Sequence, residues 1–85
     1  MNAIKKVRRY MLANPKSEAA KVLGRLVAAL ADERPFALGD LYALDLEPFE
    51  LAMELMRDWR LDRYYASRIK LLDTVLVDVL PELNT

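Results

Sequence analysis

Tyr65-Ala66-Ser67-Arg68-Ile69-Lys70-Leu71-Leu72-Asp73-Thr74-Val75-Leu76-Val77-Asp78-Val79-Leu80 is the stretch on which the fold class turns. From Asp73 onward it carries the β-branched residues and partial alternation of a strand. Over its whole length, Tyr65, Ile69, Leu72, Leu76, Val79 and Leu80 keep a helical period, with Lys70, Asp73, Thr74, Val77 and Asp78 on the opposite side. No glycine-bearing turn nearby supplies a hairpin partner. The spacing predicts a helix over about residues 64–80, ended by Pro81, with a strand over 73–80 as the alternative.

Working back from this segment, Asp45 reads as the cap of a helix over about residues 46–61, with Pro48 inside its tolerant first turn. Phe49, Ala52, Met53, Met56 and Trp59 share one face of that helix, and Leu51 and Leu55 widen it. A helix apolar over most of its circumference is expected at the centre of a core. The joint at Leu61-Asp62-Arg63 admits two readings, a new cap at Asp62 or one continuous helix. Upstream, about residues 36–44 form a short apolar element behind Pro35.

A longer helix is expected over about residues 15–33, entered through Asn14 as cap and Pro15 at the first position. Its small residues Ala20, Gly24 and Ala28 lie four apart. A glycine inside a helix costs about 1 kcal/mol relative to alanine, which close approach by another element would offset. An amphipathic helix over about residues 2–13 comes first, with Ile4, Val7 and Met11 between cations. The expectation is an all-α protein, a compact bundle of four to five helices forming a single helical domain over 1–85.

A chain of 85 residues supports one modest core, burying roughly 60–65% of the surface its unfolded form exposes. At 54% hydrophobic residues, the chain has more apolar surface than such a core absorbs. Self-association hides the surplus, so a homodimer is expected. No signal-peptide-length apolar run follows the basic start, and no segment approaches a membrane span. A cytoplasmic protein is the resulting expectation.

Composition bears on chemistry as well. The chain has no cysteine and no histidine, which removes thiolate chemistry, the commonest general base and the commonest metal ligand. Ser17 and Ser67 lack triad-like partners, Gly24 and Gly39 are isolated, and no phosphate loop or nucleophile elbow occurs. Asp40, Asp45, Glu47 and Glu50 do not follow a calcium-loop pattern and read as helix caps and first-turn acids. No catalytic, cofactor or metal residue is assigned, and the protein is expected not to be an enzyme.

Net charge is zero but segregated. Cations dominate residues 1–30, anions dominate 31–56, and the remainder is balanced, so the two halves attract each other. Glu50, Glu54, Asp58 and Asp62 recur every fourth position as an acidic stripe. Like charges at that spacing oppose the helix by about 0.2–0.5 kcal/mol per pair, so cations should lie alongside. Arg57, Arg60 and Arg63 supply part of that relief. Lys5, Arg8, Arg9 or the Lys21 and Arg25 pair supply the rest, from the same chain or from a second one.

Trp59, Arg60, Arg63, Tyr64 and Tyr65 concentrate the residue types enriched at binding hot spots, with cation–π contacts available at a spacing of four. They form the candidate partner surface of a non-enzymatic adaptor or regulatory domain. The alternative is a nucleic-acid-associated protein that contacts phosphates through Lys5, Lys6, Arg8, Arg9, Lys21 and Arg25. A helix-turn-helix over 36–60 is disfavoured, because Asp45, Glu47 and Glu50 would meet the DNA phosphates. The basic first helix also suits a membrane surface, but at three turns without Trp or Phe its affinity would be marginal.

Overall fold

A computed structural model describes residues 2–60 and 65–84. They form five α-helices: α1 (Ala3–Ala13), α2 (Glu18–Asp32), α3 (Leu38–Tyr42), α4 (Leu46–Trp59) and α5 (Tyr65–Thr74). A π-helical turn, Val75–Val79, and a 3-10 turn, Pro81–Asn84, complete the chain. There is no strand among the described residues, and the Cα radius of gyration of 11.5 Å matches the ~12 Å of a compact folded chain of this length. The joint at Leu61-Asp62-Arg63 falls outside the described residues.

The segment with strand-like composition is helical throughout. Its final turn widens: the Leu80 N–H donates to the Val75 carbonyl at 2.7 Å, skipping one residue more than an α-helix does. The wider turn carries Val79 and Leu80, neighbours in sequence, into the core together. Pro81, which has no N–H to continue the ladder, begins the next turn.

α1 is the amphipathic helix its spacing predicts, with Ile4, Val7 and Met11 fully buried. It lies between α4 on one flank and α5 on the other. Asn2 caps it by accepting from the Lys5 N–H at 2.9 Å. The start of α2 differs from expectation. Asn14 does not cap α2, because it closes α1: its N–H reaches the Met11 and Tyr10 carbonyls, and its Nδ2 donates to the Tyr10 carbonyl at 3.1 Å. Pro15 and Lys16 form a turn, and Ser17 is the cap, accepting from the Ala20 N–H at 3.0 Å.

α2, not α4, is the central helix. It buries Ala20, Val22, Leu23, Gly24, Leu26, Val27, Ala28 and Ala29. Its small-residue side receives the end of the chain: a Cβ on Gly24 would sit 2.9 Å from Leu80 Cδ1 and 3.4 Å from Val79 Cγ1. The close approach that offsets a helical glycine therefore comes from side chains of the C-terminal turn. α2 ends at Glu33, which holds the left-handed conformation (φ 56°) usual at a helix C-terminus.

α4 departs from the expectation that it would be central. It buries only Pro48, Ala52 and Leu55, while Phe49, Leu51, Met56 and Trp59 are half-buried and Met53 is exposed. α1 and α2 pack against it, and α3 adds a smaller contact in which Tyr42 meets Phe49. Asp45 stands at its N-cap position without a capping side-chain bond.

Candidate interaction surfaces

Three surfaces carry the side chains singled out by sequence, and α1 organises two of them. Its α4-facing flank meets the acidic stripe. Lys6 Nζ lies 3.4 Å from Glu54 Oε2, and Asp58 Oδ2 accepts from the Ala3 N–H at 3.0 Å. The Asp58 carboxylate thus sits at the positive end of the α1 dipole and satisfies one of its free N–H groups. Arg57 Nε adds a looser contact to Asp58 at 3.8 Å. Two members of the stripe are therefore neutralised within the chain, with Lys6 in place of the expected Lys5, Arg8 or Arg9. Glu50 remains exposed without an ion pair among the described residues, and Asp62 lies outside those residues.

On its other flank, α1 faces α5 across a groove of about 320 Å³ lined by Lys5, Arg8, Arg9, Ala66, Ser67 and Lys70. The six cations expected as one basic patch are therefore divided. Lys5, Arg8 and Arg9 share this groove, Lys6 is held by Glu54, and Arg25 pairs with Asp40 at 3.8 Å. Lys21 sits half-buried on α2. Lys70, from the far end of the chain, completes the group. Only its place on the polar side of α5 was legible in sequence. Arg8 is fixed by a side-chain relay: its Nε donates to Thr74 Oγ1 at 3.0 Å, and the buried Thr74 hydroxyl donates to the Lys70 carbonyl at 3.0 Å.

The candidate partner surface is rearranged. Trp59 is half-buried against the core, and the cation above its ring is Arg68, 5.0 Å from the centroid. Arg68 Nε is buried with no hydrogen-bond partner among the described residues, and its guanidinium lies over the indole ring. Arg60 and Tyr65 are exposed. Arg63 and Tyr64 lie outside the described residues.

A fourth surface was not singled out from the sequence. Leu38 and Tyr42, one turn apart on α3, and Leu46 and Met53 on α4 are 66%, 78%, 71% and 40% exposed. The Tyr42 and Phe49 rings meet at a centroid separation of 5.7 Å and join the two helices into one apolar face. The signal was present in the i, i+3, i+7 spacing of Leu46, Phe49 and Met53, which from sequence alone resembles a core stripe. By contrast, Ile4, Val7 and Met11 of α1 are fully buried, which leaves Leu12 as the large aliphatic residue that this helix exposes.

Among the described residues no three acidic side chains are placed so as to hold a metal ion, and none of their helices is long and apolar enough to cross a membrane. Asp40 pairs with Arg25 at 3.8 Å. Compared with models of known families, with curated proteins and with solved structures, the chain matches none.

Proposed function

We propose that this chain is a non-enzymatic, cytoplasmic helical interaction domain, acting as an adaptor or regulator, that pairs with a second copy of itself through the outer face of α3 and α4. The observation that carries the proposal is the apolar face of Leu38, Tyr42, Leu46, Phe49 and Met53. Fully burying a side chain of this kind contributes about 1.5–3 kcal/mol. A standard interface takes roughly 800 Å² from each partner, about one-seventh of the 5389 Å² that this molecule exposes.

The charges around that face suit a two-fold pairing. Glu50 and Arg57 lie on the exposed side of α4, three before and four after Met53. An isologous pairing with the α4 helices antiparallel and centred near Met53 sets Glu50 of one copy beside Arg57 of the other. Glu50, which has no ion pair among the described residues, then fixes the register. The distribution of cations weighs against the rival phosphate-backbone role for the six basic residues, because two of them are engaged by carboxylates and the rest do not form one stripe.

Light scattering after gel filtration tests the pairing. The expected mass is twice the 9.8 kDa of the monomer. Leu46→Glu should return the chain to a monomer with its helical content unchanged. Glu50→Arg and Arg57→Glu should each weaken association, and the double substitution should restore it. A clean monomer at high micromolar concentration would overturn the proposal.

A further inference from the structure

The groove between α1 and α5 is lined by four cationic residues, Lys5, Arg8, Arg9 and Lys70, together with Ala66 and Ser67. None of the four lies within 4.0 Å of a carboxylate among the described residues, whereas Lys6, Arg25, Arg34 and Arg57 each do. Like charges left together without counter-ions are unfavourable in the free protein and become favourable when an anion arrives. Arg8 is also pre-positioned. Thr74 satisfies its Nε from inside the protein, which leaves the terminal amino groups of a fixed guanidinium for a two-pronged contact with an oxyanion.

We propose that this groove binds a compact oligophosphate, a diphosphate or triphosphate group that is either inorganic or carried by a small molecule such as a nucleotide. Such a group brings roughly three to four negative charges near neutral pH, which balances the four cations. The volume of about 320 Å³ lies at the lower end of small-molecule sites, which run from about 300 Å³ upward. An extended nucleic-acid backbone fits less well. The molecule has no net charge and a pI near 6.2, and of its cations outside the groove Lys6 and Arg25 are engaged by acids. Among the described residues, no aromatic side chain lines the groove to stack a base.

Calorimetric titration of the full chain with inorganic triphosphate at low salt tests the site. Saturable binding at one site per chain is expected. Arg9→Gln and Lys70→Gln should each weaken it by about tenfold, the loss of one charge-assisted contact. Thr74→Val retains all four charges and should still weaken binding several-fold by releasing Arg8, whereas Thr74→Ser should retain it; circular dichroism checks that each variant folds. Lys16→Gln, outside the groove, should leave affinity unchanged. Titration with a nucleoside triphosphate separates the two sources: equal affinity assigns recognition to the phosphate chain alone, and tighter binding adds the nucleoside. Absence of saturable binding, an equal loss in Lys16→Gln, or displacement of triphosphate by an oligonucleotide with a steep salt dependence would each overturn the proposal.

Discussion

α2 and α4 span 15 and 14 residues, and both are rich in apolar side chains. The molecule uses them in opposite ways. α2 buries eight of its residues and is covered from several directions, including by Val79 and Leu80 at the chain's end. α4 buries three, is held to α1 by Glu54 and Asp58, and turns Leu46 and Met53 outward. Apolar content alone does not place a helix at the centre of a core. What separates the two is which elements reach them: α1, α4, α5 and the C-terminal turn all pack on α2, whereas α4 packs chiefly on α1 through Ala52 and Leu55.

This contrast can be broken most directly by truncation. Leu23→Ala in α2 removes a fully buried side chain and should cost about 3 kcal/mol, while Met53→Ala in α4 should cost less than about 1 kcal/mol. Urea unfolding at concentrations low enough to keep the chain monomeric measures both. Equal costs would show that α4 is as central as α2.

The small-residue contact is the next test. Gly24→Val places a branched side chain where even a Cβ meets Leu80 at 2.9 Å, and should destabilise by about 2 kcal/mol. Gly24→Ala gains about 1 kcal/mol of helix propensity against displacement of the flexible Leu80 tip, for a net change within about 1 kcal/mol. The two midpoints, compared by urea unfolding, sharpen the assignment of this contact to side-chain fit.

The smallest effect tests the electrostatic attachment of α4. Asp58→Ala deprives the α1 N-terminus of its carboxylate acceptor and should cost about 1.5 kcal/mol, whereas Asp58→Asn retains an acceptor and should cost about half as much. Thermal unfolding at low and high salt resolves the charged part of the difference. An Asp58→Ala variant as stable as the parent would mean that packing alone holds α4 in place.

The sequence by itself determined the all-helical class, but the period of Tyr65, Ile69, Leu72 and Leu76 marked the wrong face of α5: Tyr65 and Ile69 are exposed, whereas Leu71, Val75 and the supposedly outward Thr74 are buried, because α1 packs on that side. It also determined the buried stripe of α1 and the attraction between basic and acidic halves, realised as Lys6 with Glu54 and Arg25 with Asp40. These are local periodicities and summed charges, which a chain expresses whatever its topology. Tertiary structure alone decided which apolar helix became the centre, since burial depends on what the rest of the chain can reach. It also decided that Ser17 rather than Asn14 caps α2, because Asn14 is already engaged in closing α1. The apolar face of α3 and α4 and the groove of Lys5, Arg8, Arg9 and Lys70 arise for the same reason. Each joins residues from separate helices, and Lys70 meets the first helix only because α1 packs against α5.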